Sequence, residues 1–315
     1  MIEMKCFMGV LNKIMKILLR VGQIPETIFK VDSDNQTELL AIGKLLSNQQ
    51  KQIDSDNIQD YEFKIFSQAG EDGIIQFLVN HVEIKNKIFI EFGVEDYVES
   101  NTRFLMMNNN WSGLVMDGAE ANIKKIQKSG WLWKYDLEAK AAFVDIDNIN
   151  NLISSPKYID IGILSIDIDG NDYHILKQID MKKLNPSILI LEYNSVFGDE
   201  RKITVPYDKV FFRTKAHYSN LYFGASLPAL TDLADTLGYS LVGSNSIGSN
   251  AFYVRKDLLN EKIREKTVKE SYVKSKFRES RNKDCSLSFL GGDDRYFVIK
   301  GLKVLNTDSG LIEDL

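Results

Sequence analysis

The chain has 315 residues, the length of two average domains or of one large α/β domain with appendages, and 44% apolar with 26% charged residues excludes a disordered chain. A net charge of −5 argues against a general nucleic-acid binder. The two cysteines, Cys6 and Cys285, make neither a zinc pattern nor a disulfide framework, which is the usage of a reducing cytoplasm.

The first pattern in chain order covers residues 6–21. Phe7, Leu11, Ile14, Met15, Leu18 and Leu19 share one helical face, with Lys13, Lys16 and Arg20 elsewhere. No apolar run there reaches 18 residues and no small-residue cleavage site follows, so neither a membrane span nor an exported leader is expected. The stripe is expected to pack on the chain's own body or on a second copy, giving a homodimer through residues 1–52. Peripheral contact of 1–21 with an anionic membrane surface is the other reading. A second helical pattern spans about 38–52, and 54–59 reads as a loop.

From there apolar runs alternate with helical patterns. Runs at 87–91, 113–117, 141–145, 161–167 and 187–192 are short and β-rich. Continuous apolar strands separated by helices are the mark of a buried parallel sheet. Runs at 239–243 and 251–255 flank a short Ser-, Asn- and Gly-rich loop and read as an antiparallel hairpin at the sheet edge. Each of the five parallel runs ends in a carboxylate: Glu91, Asp117, Asp145, Asp167 and Glu192. Open α/β sheets bind ligands beyond the carboxyl ends of their strands. Five acids on one rim point to a ligand with hydroxyls and positive charge, to a divalent metal, or to both. A lone acid at a strand end is more often a helix cap.

This layout resembles the Rossmann-like class I S-adenosylmethionine (SAM) methyltransferases. Residues 89–102 (Phe-Ile-Glu-Phe-Gly-Val-Glu-Asp-Tyr-Val-Glu-Ser-Asn-Thr) are similar to that family's first motif. Residues 66–75 and 165–176 (Ser-Ile-Asp-Ile-Asp-Gly-Asn-Asp-Tyr-His-Ile-Leu) resemble its FkbM-like O-methyltransferase branch. The resemblance covers about 60–258. It leaves 1–59 as an N-terminal helical extension and 259–315 as a C-terminal helical or extended appendage. It implies a SAM-dependent O-methyltransferase acting on a hydroxyl of a sugar, glycan or nucleotide-linked precursor. The family motif continues as Gly-x-Gly-x-Gly, whereas only Gly93 is present here, followed by Val94, Glu95, Asp96 and Tyr97. That departure motivates an alternative: a nucleotide-binding protein of the same fold that transfers no methyl group.

The resemblance also implies roles. Glu91 and Gly93 lie in the cofactor loop, with Asn101 and Thr102 opening the next helix. Asp117 is placed to accept the ribose hydroxyls, and Asp145, or Asp147, to meet the adenine amine. Ser67, Gln68 and Glu71 either meet the amino-acid end of SAM or form a local turn and cap. Metal-dependent O-methyltransferases carry an acid after strand four and an acid with an amide after strand five. By position these are Asp167, Glu192 and Asn194, a set of oxygen ligands suited to magnesium or manganese. Asp169 or His217 is the expected base or further ligand, and Arg213, Tyr218, Asn220 and Tyr222, with Asn245 and Asn250, the expected pocket lining. His81 and His174 read as structural. The Lys- and Arg-rich tail at 255–283 reads as a solvated helix, and 295–299 as an extra strand or an oligomer contact.

Overall fold

The computed structural model describes residues 35–315; the apolar stripe at 6–21 lies outside them. Helix α1 occupies 35–49. It lays Gly43 against Phe104, where a Cβ would come within 2.4 Å of the ring, and Leu40 and Leu46 pack on Ile65, Phe66 and Phe104. The opposite side leaves Leu39, Ile42 and Leu45 exposed.

The centre is a seven-stranded sheet built from β1 (Asn86–Phe92), β2 (Ser112–Asp117), β3 (Leu137–Ala141), β4 (Ile161–Ile166), β5 (Ile188–Glu192), β7 (Tyr239–Ser244) and β8 (Asn250–Arg255). Their spatial order is β3-β2-β1-β4-β5-β8-β7. The first five strands run parallel and the final hairpin is antiparallel, the Rossmann-like layout that the resemblance implied. Alternate residues serve opposite faces. Ile90, Phe92, Leu164, Ile166, Leu189 and Leu191 join one core. It is closed by α5 (Ile149–Leu152), α6 (Asp172–Gln178), α7 (Met181–Leu184) and α9 (Leu227–Thr236). Phe89, Val115, Ile163, Ile188 and Ile190 join the other core, closed by α2 (Glu71–His81), α3 (Arg103–Asn109) and α4 (Glu120–Gln127).

Three expectations need correction. The third strand is Leu137–Ala141, not 141–145. It is an edge strand, and edge strands alternate charge with small apolar residues, as Glu138 and Lys140 do here, instead of forming an apolar run. The basic tail forms only a 3-10 turn at Lys256–Leu258 and the four-residue helix α10 (Val268–Ser271) within otherwise irregular chain. Residues 295–299 belong to a helix, α11 (Asp294–Ile299). The strands of the C-terminal segment, β9 (Lys303–Asn306) and β10 (Ile312–Asp314), form a three-stranded sheet with β6 (Ile203–Thr204). The segment from 259 onward is therefore built into the stretch that follows β5. No helix among the described residues is long and apolar enough to cross a membrane.

Candidate active site

Strand order reverses between β1 and β4, so a crevice opens beyond their carboxyl ends. Gly93 sits at this point with φ +76°, and a Cβ on it would lie 1.5 Å from the Asp167 carbonyl oxygen. The two strand exits thus meet backbone to backbone, and only glycine fits. Beyond it, Glu95 (φ 47°) and Tyr97 (φ 62°) are also left-handed. Residues 93, 95 and 97 are the three glycine positions of a Gly-x-Gly-x-Gly motif. All three are left-handed here although two carry side chains, at a strain of about 1–2 kcal/mol per residue. Tyr97 is held there by burial, by a 2.9 Å hydrogen bond between its hydroxyl and Thr102 Oγ1, and by Arg103, which donates to the Tyr97 carbonyl at 3.1 Å. Glu95 N–H donates to Asp117 Oδ2 at 2.9 Å.

The residues expected around the cofactor divide into two groups. Glu91 is buried under the loop. Its carboxylate accepts from Ser100 Oγ, Asn101 N–H, Thr102 N–H and Thr102 Oγ1. Burial raises its pKa against the pull of these bonds. Asn101 points inward, donating to Ser165 Oγ at 3.1 Å, and Thr102 is fully buried. These three side chains organise the loop and do not face the crevice. Ser67 is likewise internal, accepting from Asp72 N–H, while Gln68 is exposed. Glu71 is buried and accepts from Asn245 Nδ2 at 2.6 Å and Asn250 Nδ2 at 3.2 Å, so those three residues tie α2 to the hairpin. Asp117 and Gly93 do reach the crevice. Asp117 Oδ1 holds Ala119 N–H at 2.8 Å at the start of α4, and the carboxylate keeps part of its surface open.

Asp145 stands four residues beyond β3 and not at a strand end. It accepts from Asp147 N–H at 2.8 Å and Asn148 N–H at 2.9 Å, closing a turn before α5, and pairs with Lys209 at 3.3 Å. The segment that carries Lys209 was not anticipated at this rim. It crosses the carboxyl ends of the strands: Lys209 also reaches Asp147, Asp208 O accepts from Asn171, Phe211 abuts Gly170, and Phe212 meets the Phe143 ring at 5.6 Å. Phe143 also covers Gly118, next to Asp117, and both Phe143 and Phe212 are largely exposed. The two rings are tilted 43° to one another, and Phe143 brings them close to Asp117. Both lie in short apolar runs, Ala141–Val144 and Val210–Phe212, the first of which reads in the sequence as a strand.

The acids after β4 and β5 converge. The β4–β5 register pairs Ser165 with Ile190 and Ile166 with Leu191, so its continuation sets Asp167 beside Glu192. Asp169 turns back toward them at φ 59°, helped by Asp172, whose carboxylate accepts from Ile168 N–H and Gly170 N–H at 3.0 Å each. Ligand oxygens of Asp167, Asp169 and Glu192 all lie within 4.8 Å of one another. Burial, then the charges of Asp169 and Asp172, hold the Asp167 carboxyl well above its ordinary range. Burial, then Asp167 and Asp169, do the same to Glu192, whose Oε2 is buried without a partner. Arg213 flanks the group, donating to Asp169 Oδ1 at 2.9 Å while stacked on Phe223 at 3.8 Å.

Asn194, expected as the third ligand, is committed elsewhere. Its Nδ2 donates to the Leu221 and Phe223 carbonyls at 2.9 Å each, and its Oδ1 accepts from Val196 N–H at 3.0 Å. The chain turns immediately after β5, which swings residue 194 away from the rim. The third carboxylate beside Asp167 and Glu192 is Asp169. His217, expected as a base, bonds Ser219 Oγ at 2.8 Å and leans on Tyr218; burial and then Lys283 lower its pKa. It is not brought into the acid group. His174 bonds the Val205 carbonyl and His81 the Phe77 carbonyl, as structural residues do.

No protein-family profile matches the chain, and no curated protein matches it. Solved structures do. The chain is similar to the N-terminal domain of EvdMO1 with S-adenosylhomocysteine (SAH) bound, at 12% identity and a TM-score of 0.37, over 60% of this chain and 80% of that one. It is also similar to M. capricolum TrmK in complex with SAH, at 12% identity and a TM-score of 0.35, over 56% of this chain and 67% of that one. A third is the CMeT domain of the citrinin polyketide synthase, at 12% identity and a TM-score of 0.39, over 61% and 55%. At TM-scores below 0.5 these likenesses carry no argument, and the fold rests on the sheet order itself.

Proposed function

We propose that this chain is a SAM-dependent O-methyltransferase acting on a hydroxyl of a sugar, glycan or nucleotide-linked precursor, with a magnesium or manganese ion at its acid group. The observation that carries the reading is the left-handed backbone at 93, 95 and 97 beside Asp117. This loop leaves Gly93 exposed at the switch point, where a cofactor's backbone approach needs it. Asp117 would hold the ribose hydroxyls, and Phe143 and Phe212 would flank the base. The retained loop shape weakens the motive for a non-methylating nucleotide binder, which rested on the missing glycines.

The acid group fits a hard divalent cation: three carboxylates converge, and Glu192 Oε2 lacks any donor. When bound, SAM supplies an electrophilic methyl group and the cation a charge that acidifies a neighbouring hydroxyl. Asp167 and Glu192 would hold the cation. Asp169 Oδ, kept in place by Arg213, would orient the acceptor hydroxyl and take up its proton. Arg213 also keeps Asp169 from swinging into solvent, since its guanidinium is itself fixed by Asn220 O at 2.7 Å and the Phe223 ring. Calorimetric titration with SAM and SAH tests the reading; failure to bind either removes it. The exposed Leu39, Ile42 and Leu45 on α1 support a dimer contact through residues 1–52. Light scattering of the chain with and without them should then differ in oligomeric state.

A further inference from the structure

The stretch after β5 and the C-terminal segment enclose a cavity of about 340 Å³, within the roughly 300–1,000 Å³ of small-molecule sites. Its wall includes Ser195, Asp199, Tyr272, Lys274 and Arg295. The wall begins just after the acid group in the chain. Ser195 follows Glu192 by three residues, which span at most about 10 Å. The wall is fixed: Tyr272 Oη donates to the Ser195 carbonyl at 2.6 Å, and Ser275 N–H to Ser195 Oγ at 2.9 Å.

Arg295 is the anomaly. It is only 6% exposed, its Nε is buried without a partner, and among the described residues its guanidinium meets no carboxylate, carbonyl or ring. Lys274, by contrast, is already paired with Asp293, and Asp199 stands beyond ion-pair distance of Arg295. Arg103, equally buried at 5% and with its own Nε likewise unpartnered, differs in that the rest of its guanidinium donates to two carbonyls and stacks on Phe66 and Trp131. Burial, then the neighbouring charge of Arg213, pull the Arg295 pKa down, yet a guanidinium stays protonated in proteins. The one carboxylate whose charge reaches Arg295, Glu279, is committed to Arg213 at 3.7 Å, so this guanidinium has no ion-pair partner of its own, and an anion entering the cavity would supply one. Arg213, whose charge acts on Arg295, also pairs with Asp169, which links this cavity to the acid group.

We propose that the cavity binds the oxyanion of an acidic, hydroxyl-bearing acceptor, a sugar phosphate or a sugar carboxylate, with Arg295 as the anion fork and Asp199 accepting from a nearby hydroxyl. Naming this as the methyl acceptor rests on the methyltransferase reading; the anion site itself does not. A planar fork suits both oxyanions. The cavity is completed by the C-terminal segment, which gives that segment a place in acceptor selection.

The test titrates the full chain with glucose 1-phosphate, glucuronate and glucose by calorimetry, with SAH titrated separately. At least one acidic sugar should bind and glucose should not; which one binds identifies the anion. Arg295→Met should weaken that binding at least tenfold, leave SAH affinity unchanged and keep or raise the melting temperature, because it removes an unpaired buried charge. Arg295→Lys, which keeps the charge without the fork, should weaken it severalfold. Absence of binding by either acidic sugar, equal binding in both variants, or a melting temperature that falls by several degrees in Arg295→Met would overturn the proposal. Loss of SAH binding alone would sink the methyltransferase reading and leave the anion site standing.

Discussion

Two sets of acids lie on the same face of the sheet and differ in their surroundings. Glu91 pairs in register with Ser165, two residues before Asp167. Both Glu91 and the Asp167–Glu192 pair have pKa values raised by burial. Around Glu91, however, the neighbours are donors, supplied by the loop from Ser100 to Thr102. Around Asp167 and Glu192 they are mainly other acids. A buried acid furnished with its own backbone donors is a post on which a loop is built. A buried acid facing other acids needs a shared proton or a cation.

The comparison breaks if the two sites respond alike to substitution. Glu91→Ala should cost the most, about 3–5 kcal/mol, since it strands the donors of Ser100, Asn101 and Thr102 in the interior. The urea midpoint reads this; a loss below about 1 kcal/mol would remove the post interpretation. Asp167→Asn should do the opposite: stability unchanged or slightly higher, with affinity for magnesium or manganese down at least about tenfold. Calorimetry on the folded variant checks it, and undiminished cation affinity would contradict the assignment.

A pH series sharpens the same contrast. Folded-state pKa values of Asp167 and Glu192 are raised, so the folded chain binds more protons than the unfolded chain above the ordinary carboxylate range. In EDTA their contribution to stability is fully present below that range and is lost as pH rises through the raised values. Cation affinity should therefore increase with pH over this window as the shared proton leaves. Urea midpoints that fall less steeply with pH in Asp167→Asn than in the unaltered chain would match, since burial still raises Glu192, Asp172 and Asp72 in the variant. The smallest effect is expected at Glu95→Gly, which relieves the left-handed strain and should stabilise the fold by about 1 kcal/mol without weakening SAH binding. A destabilised Glu95→Gly would mean that the Glu95 side chain, not its backbone, matters.

The parallel strands and the terminal hairpin were legible because a fully buried strand writes itself as a continuous apolar run. β3 was misplaced because, at the edge, solvent admits charge at alternate positions. Asp167 and Glu192 were legible together since adjacent parallel strands in register carry their last residues to one place. Asn194 was not, because its orientation depends on a turn whose acceptors, the Leu221 and Phe223 carbonyls, come from almost 30 residues away. The missing glycines at 95 and 97 read as damage, yet backbone torsion is not encoded by glycine alone: a buried Tyr97 anchored to Thr102 imposes it as well.

Local regularities, hydrophobic period and the chemistry at strand ends, determined the sheet, its rim and the residue types available there, because both depend on near neighbours in the chain. Only tertiary structure decided which of those residues face the crevice, which are spent on loops, and that Arg295 is buried without an ion pair among the described residues. Each of these depends on contacts between segments far apart in sequence, such as the cavity wall shared by Ser195 and Arg295, and no local pattern records which distant group fills a donor or leaves it open.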